Sequence, residues 1–196
     1  MLLAAPGRRR KRRTEQTKTE HEEFGRETTM LELKGEVEPI DVYLHPGESY
    51  FAPNPAVIRT ILGSCVSVAF WSARLGVGAL THSQLPRSPQ KLGVDLSLAE
   101  GRRYVDFAIL DIARRFDELG VPRADVQVKV FGGGDVLLIS EAAAGKPTVG
   151  KLNCEVALEV LDAEGFLVKA SSLRGTSGLK IRFDTRTGEV LLRRLG

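Results

Sequence analysis

Three apolar segments, the first two of them rich in β-branched residues, follow one another in the first half of the chain, and only short breaks separate them. Residues 56–62 and 65–71 flank Gly63-Ser64, and residues 77–81 follow a turn at Leu75-Gly76. Segments of this length and composition are typical of buried strands. The sequence therefore predicts consecutive strands, and the chain must build its core around a sheet.

Two helices are predicted after these strands. Residues 104–119 place their apolar side chains on one stripe, which favours an amphipathic helix. A second helix is predicted to begin at Asn153, as its N-cap, and to end at Gly165. Further strands are predicted over residues 39–44, 126–131 and 166–170, and in a terminal hairpin of residues 179–183 and 189–194. This order of elements favours a mixed α/β fold in which layered β-sheets are flanked by helices.

The positive charge of the chain is concentrated at its beginning. Residues 1–30 hold eight of the 28 Lys and Arg and five of the 25 Asp and Glu, so the net charge of +3 lies entirely there. The composition of residues 1–35 predicts a basic, disordered extension, with tethering to an anionic surface as the alternative. No aromatic residues interleave with its basic cluster, and specific nucleic-acid binding is not predicted. Residues 36–196 are predicted to form a single domain.

The sequence predicts a soluble, cytoplasmic protein. No run approaches the roughly 18 apolar residues that cross a bilayer. The apolar residues 1–5 precede the basic cluster at 8–13, which reverses the order of a secretory signal. Two cysteines that lie far apart fit neither a small disulfide scaffold nor a zinc-binding pair of doublets.

A cysteine and a histidine are the first candidates for chemistry. Cys65 follows two small residues at the junction of two predicted strands, and His82 ends the third strand. If residues 65–71 and 76–82 form an antiparallel hairpin, both side chains lie at its open end. An imidazole that takes the proton of a nearby thiol makes cysteine a nucleophile, and as an imidazolium it lowers the thiol pKa. The pair predicts a nucleophile and its base, although either residue alone is more often structural.

Other polar positions are open to structural and functional interpretations. Thr60 lies on the preceding strand, where its hydroxyl can orient the imidazole or can simply reflect strand propensity. Gly132-Gly133-Gly134 lacks the spacing of a phosphate loop and favours close backbone packing or substrate approach. Cys154 falls in the first turn of the predicted second helix, and we predict a packing role for it. No cofactor is predicted, and no ligand spacing supports a metal site from Cys65, Cys154, His45 and His82.

Five segments have a specific sequence and follow one another in a fixed order. They are Thr60-Ile61-Leu62-Gly63-Ser64-Cys65-Val66, Thr81-His82-Ser83-Gln84-Leu85-Pro86, Lys129-Val130-Phe131-Gly132-Gly133, Gly150-Lys151-Leu152-Asn153-Cys154-Glu155 and Phe183-Asp184-Thr185-Arg186-Thr187-Gly188-Glu189-Val190. Together they resemble the CheD family of chemoreceptor glutamine deamidases. The similarity extends from about residue 38 to residue 195.

The resemblance implies a layered α/β cysteine hydrolase that converts specific receptor glutamines to glutamate through a thioester. Cys65 matches the family nucleophile, His82 its base and Thr60 its third residue. The implied partners are the cytoplasmic domains of chemoreceptors and a CheC-type phosphatase. In the chemistry that this implies, backbone N–H groups at the turn formed by Gly63, Ser64 and Cys65 are the candidate oxyanion donors.

One alternative belongs to a different functional class. A non-catalytic adaptor could keep the fold and bind receptors or a chemotaxis phosphatase. Retention of Cys65, His82 and Thr60 together argues for the enzyme, and ammonia release from a receptor fragment would separate the two hypotheses.

Overall fold

The computed structural model describes residues 38–135 and 147–195. The predicted extension at residues 1–35 lies outside these described residues. The strands, in chain order, are β1 (Ile40–Tyr43), β2 (Ser49–Ala52), β3 (Ala56–Leu62), β4 (Val66–Ser72), β5 (Val77–Thr81), β6 (Gln127–Gly132), β7 (Val168–Leu173), β8 (Gly178–Asp184) and β9 (Glu189–Leu195). The α-helices are α1 (Leu98–Gly101), α2 (Val105–Glu118) and α3 (Val149–Ala163), and two short 3₁₀ helices cover Pro89–Leu92 and Arg123–Asp125.

The strands form two mixed sheets. The four-stranded sheet has the order β1-β3-β8-β9, and the five-stranded sheet has the order β2-β5-β4-β6-β7. The pairs β1/β3 and β6/β7 are parallel, and the other neighbours are antiparallel. The predicted terminal hairpin is confirmed as β8 and β9, which pair from Gly178↔Leu195 to Asp184↔Glu189.

The five-stranded sheet lies between the other sheet and the helices. On β4, Val68 and Phe70 belong to a core cluster shared with α2 and α3. The intervening Ala69 belongs to a second cluster, which also contains Ile58 of β3 and Ile181 of β8. Because successive side chains of a strand point to opposite faces, both faces of this sheet are buried. The predicted α/β fold of layered sheets flanked by helices is confirmed.

The strand β2 was not predicted from the sequence. Ser49–Ala52 has only four residues, stands directly before Pro53 and shows no β-branched residue. It pairs with β5 in antiparallel register from Ser49↔Thr81 to Ala52↔Gly78. The edge of the sheet stabilises a segment that has little strand signal of its own.

The predicted start of the second long helix is wrong. Helix α3 begins at Val149, and its N-cap is Thr148, whose Oγ1 accepts a hydrogen bond from the backbone N–H of Lys151. Asn153 therefore lies inside the helix, where it is completely buried. Cys154, which the sequence predicts in the first turn, lies beyond it, so the helix N-terminus does not favour a thiolate at this position. The predicted end is confirmed, because Gly165 follows the helix with a φ of 75°.

Two glycines allow the loop after β6 to approach α3. A Cβ atom at position 150 would lie 2.6 Å from the carbonyl oxygen of Gly133, and a Cβ at position 133 would lie 2.7 Å from the carbonyl oxygen of Gly150. Gly133 also has a φ of 66°, which side chains rarely permit. Of the two interpretations of the glycine triplet, these contacts support close backbone packing at Gly133.

We expect Gly150→Ala to lower the free energy of unfolding by about 1–3 kcal/mol, because its methyl group would meet backbone that cannot move aside. In an unconstrained helix the same change would be stabilising by about 1 kcal/mol. Gly178→Ala is the control, since a Cβ there meets its nearest atom at 3.4 Å. Urea unfolding of the three proteins measures the difference. A Gly150→Ala protein that is more stable than the wild type would contradict the packing account.

Candidate active site

The junction between β3 and β4 carries the candidate nucleophile. Gly63 and Ser64 connect the two strands, and Cys65 directly precedes β4. Beyond the regular pairing of β4 with β5, the backbone of Val66 exchanges two hydrogen bonds with that of Ser83, at 3.0 and 2.9 Å. Because Ser83 follows His82, the predicted hairpin is confirmed, and Cys65 and His82 belong to the same end of it.

The backbone of His82 is fixed on both sides. Its N–H donates to the carbonyl oxygen of Glu48 at 2.8 Å, and its carbonyl oxygen accepts from the N–H of Gly47 at 2.7 Å. The residue is only 2% exposed. The position of the imidazole is therefore fixed by the surrounding protein, and the ring has little contact with solvent.

Thr60 determines which nitrogen of this imidazole carries a proton. Its Oγ1 lies 2.7 Å from Nδ1 of His82 and 2.9 Å from the carbonyl oxygen of Leu44. A hydroxyl has one proton, and the carbonyl can only accept, so Thr60 donates to Leu44. The oxygen of Thr60 then accepts a hydrogen bond from Nδ1–H, which leaves the lone pair of the neutral ring on Nε2.

The other ring nitrogen is available for proton transfer. Nε2 of His82 is buried and has no hydrogen-bond partner within residues 38–135 and 147–195. Burial is the largest cause that lowers the pKa of His82, and it outweighs the opposing effects of the Leu44 carbonyl and of Glu48. The ring is therefore neutral near pH 7, in the form that can accept a proton from a thiol.

The thiol of Cys65 is also neutral. Burial raises the pKa of the Cys65 thiol, and the backbone N–H of the same residue only partly offsets this effect. The prediction that an imidazolium lowers the pKa of the Cys65 thiol is therefore wrong for the protein without substrate. Burial disfavours the charged form of both groups, so the resting pair is a neutral thiol and a neutral imidazole.

We expect alkylation of Cys65 by iodoacetamide to follow an apparent pKa above the free-thiol value of about 8.5, because a raised pKa leaves less thiolate at each pH. His82→Ala should not move this profile to higher pH, since a neutral ring contributes no positive charge. Mass spectrometry that resolves Cys65 from Cys154 across pH 5–10 measures both profiles. A profile that lies below the free-thiol value and rises in His82→Ala would establish an ion pair instead.

The turn before β4 presents backbone donors. Within the described part of the chain, the amides of Gly63, Ser64 and Cys65 donate to no other residue. Their carbonyl oxygens are engaged, because that of Gly63 accepts from Gly134 N at 2.8 Å and that of Cys65 accepts from Gly133 N at 2.7 Å. The turn is thus anchored through its carbonyl groups and retains N–H groups that can bind an oxyanion.

Asn153 contacts the candidate site, although the sequence predicts it as a helix N-cap. Its Nδ2 donates to the carbonyl oxygens of Ser64 and Gln84, both at 3.0 Å. It therefore links α3 to the turn before Cys65 and to the segment after His82. The sequence signal for this residue is its place in the segment Gly150-Lys151-Leu152-Asn153-Cys154-Glu155, which is one of the five that carry the family resemblance.

The second cysteine has surroundings that suit packing. Cys154 is buried in the core cluster between the five-stranded sheet and the helices. Its Sγ lies 3.9 Å from the carbonyl oxygen of Gly132, and burial raises the pKa of its thiol. A buried thiol with a raised pKa is a poor nucleophile.

No helix in the two described ranges is both long and apolar enough to span a membrane.

Comparison with known proteins gives matches at both the sequence and the structural level. A family model described as CheD chemotactic sensory transduction matches residues 84–194. A protein of Geobacter sulfurreducens named probable chemoreceptor glutamine deamidase CheD 2 is 43% identical over 154 residues, which cover 79% of this chain and 89% of that protein. A protein of Maridesulfovibrio salexigens named probable chemoreceptor glutamine deamidase CheD is 33% identical over 155 residues, which cover 79% of this chain and 91% of that protein.

Among solved structures, the Bacillus licheniformis hypothetical protein YfiH matches with a TM-score of 0.42 and 13% sequence identity, over 65% of this chain and 51% of that one. The assignment rests on the family model, which matches more than half of the chain, and on the two relatives, most of whose length is covered. This chain belongs to the CheD family.

Proposed function

We propose that this chain hydrolyses glutamine side chains of chemoreceptors to glutamate and releases ammonia. The names of its relatives support the substrate class. The observation that carries the chemistry is the hydrogen bond between Thr60 and His82. It leaves Nε2 of a neutral, buried imidazole without a partner among the described residues, at the same end of the hairpin as Cys65.

In the first step, Sγ of Cys65 attacks the carboxamide carbon of the glutamine while Nε2 of His82 takes the thiol proton. The carbonyl oxygen becomes an oxyanion in a tetrahedral intermediate. The N–H groups of Gly63, Ser64 and Cys65, which donate to no other residue in the described part of the chain, are the donors proposed to stabilise it. Coupled proton transfer suits a pair in which burial keeps both groups neutral at rest.

The intermediate then collapses with cleavage of the C–N bond. The imidazolium of His82 gives its proton to the leaving nitrogen, and ammonia departs from a thioester on Cys65. His82 next removes a proton from a water molecule that attacks the thioester carbonyl. Cleavage of the C–S bond returns the proton to the sulfur, and the product is glutamate.

Thr60 contributes by orientation. Its hydroxyl accepts a hydrogen bond from Nδ1–H and so keeps the lone pair on Nε2, as the third member of a catalytic triad does. The bond that it donates to Leu44 prevents it from donating to the ring instead. We propose Thr60 as the third residue on this basis.

The proposal is tested by incubating the protein with a soluble cytoplasmic fragment of a chemoreceptor. The enzyme is expected to release ammonia in proportion to the glutamines that peptide mass spectrometry finds converted to glutamate. An adaptor would form a complex with the fragment without either product. A complex without ammonia would therefore contradict the proposed activity.

The family resemblance also supports a partner and a location. We propose a CheC-type phosphatase as a binding partner, and the cytoplasm, where the substrate segments of receptors lie, as the site of action. Co-purification of the two proteins at defined concentrations would test the partner. The absence of a complex, together with equal deamidation rates with and without the phosphatase, would contradict this partner.

We expect deletion of residues 1–30 to leave turnover on a soluble receptor fragment within about twofold of the full chain. Residues 36–196 are proposed to be the complete catalytic domain, because every candidate site residue lies at or beyond Thr60. Ammonia release by the truncated and full chains measures the difference. A large loss of turnover, or a large fall in melting temperature, would show that the removed segment belongs to the domain.

A further inference from the structure

Asn153 has an arrangement of hydrogen bonds that packing alone does not require. Its side chain is completely buried, and its single amide nitrogen donates to two carbonyl oxygens, those of Ser64 and Gln84, at 3.0 Å each. Carbonyl oxygens only accept, so the nitrogen must face them. The buried Oδ1 is left with no donor among the described residues. The side chain thus engages both protons of its nitrogen and leaves its own acceptor unsatisfied.

The bond to Ser64 has a consequence for Cys65. The carbonyl of Ser64 and the N–H of Cys65 belong to one peptide unit, which is planar and trans, so the two groups point in opposite directions. The structure contains no cis peptide among the residues that it describes. When Asn153 holds the Ser64 oxygen towards α3, the Cys65 N–H is turned away from α3. That N–H donates to no other residue in the described ranges.

The bond to Gln84 extends the same constraint to the base. Gln84 lies two residues after His82, and its own N–H donates to the carbonyl oxygen of Arg103 at 2.8 Å. One side chain of α3 therefore fixes both the turn before the nucleophile and the segment after the base.

We propose that Asn153 is a positioning residue for the deamidation reaction, which holds the Ser64–Cys65 peptide so that the Cys65 N–H can bind the oxyanion. This inference rests on the proposed function. Asn153 itself does not touch the reacting atoms and acts through the backbone.

The thiol is anchored independently of Asn153. The carbonyl oxygen of Cys65 accepts from Gly133 N at 2.7 Å, and Val66 exchanges two backbone hydrogen bonds with Ser83. Loss of Asn153 should therefore release the Ser64–Cys65 peptide while the sulfur keeps its place. Attack on iodoacetamide needs no oxyanion donor, because it is a displacement at a saturated carbon. Alkylation and deamidation should consequently respond differently.

The test uses the full chain with Asn153→Ala and Asn153→Ser, and with Val156→Ala as the control. Val156 is buried on the same helix and belongs to the core cluster that this helix shares with the five-stranded sheet. For both Asn153 variants we expect kcat on a receptor fragment to fall by about 10²–10³-fold, as on loss of an oxyanion donor. KM and the rate of Cys65 alkylation should stay within about threefold of the control. Unfolding midpoints establish that each variant is folded at the assay temperature.

Two outcomes would overturn the inference. A folded Asn153 variant with the kcat of Val156→Ala would show that the hydrogen bonds of Asn153 to Ser64 and Gln84 are not needed for the reaction. Equal losses of kcat and of alkylation would show that Asn153 places the thiol rather than the oxyanion donor. Failure of the wild type to release ammonia would be a different result, because it would overturn the proposed function and, with it, the reaction that Asn153 is inferred to serve.

Discussion

Cys65→Ala is expected to lower the rate of ammonia release from a receptor fragment by about 10³-fold or more. The substitution removes the sulfur that forms the thioester but deletes only one atom from a half-buried side chain, so the fold is retained. Cys154→Ala is the matched control. It removes a buried thiol whose neighbour is a glycine carbonyl rather than a base, and most of the activity should remain.

Initial rates of ammonia release, with circular dichroism to verify folding, measure both variants. Retained activity in folded Cys65→Ala would exclude this residue as the nucleophile. Equal losses in the two cysteine variants would indicate a shared structural effect and would also contradict the mechanism.

His82→Gln is expected to reduce kcat by about 10²–10⁴-fold, the usual contribution of a general base. Glutamine can still form a hydrogen bond with Thr60 but has no group that takes the thiol proton near neutral pH. His45→Gln is the matched control, because His45 is exposed and its ring packs edge-on against Tyr43. That variant should retain activity within about threefold of the wild type.

The role of His82 as a neutral base also predicts how activity changes with pH. Because burial lowers the pKa of His82, the active neutral ring persists as the pH falls to its ordinary pKa of about 6.5, and activity is lost only below that value. The profile of kcat/KM against pH measures the acid limb. An acid limb centred above this value, or unchanged kcat in His82→Gln, would contradict the role of His82 as a neutral base.

The central strands could be predicted because their sequence signal is local. Ala56–Leu62 is rich in β-branched residues, and Val77–Thr81 is a short, largely apolar segment that directly follows a predicted turn. The strand Ser49–Ala52 could not be predicted, since its stability comes from pairing with β5 across a long stretch of chain. Tertiary contacts of this kind override weak local propensity.

The relative placement of the two candidate residues Cys65 and His82 could be predicted from the sequence, but the directions of their pKa shifts could not. The hairpin register placed Cys65 and His82 at one end, and this followed from the turn length alone. The directions of both pKa shifts depend on burial, which the sequence did not give, and the expected ion pair was therefore wrong.

Asn153 was misplaced because asparagine is a strong N-cap and Gly150 is a weak helix former. Only the close approach of the Gly133 loop to α3 explains why the helix tolerates this glycine.

The central claim is that the thiol of Cys65 performs the reaction, and partial alkylation tests it most directly. Protein samples are treated with iodoacetamide for increasing times, the alkylated fraction of each cysteine is measured by mass spectrometry, and ammonia release is measured on the same samples. We expect the remaining activity to equal the fraction of Cys65 that is unmodified, irrespective of the state of Cys154. Activity that persists when Cys65 is fully alkylated, or that declines in step with Cys154 instead, would contradict the account.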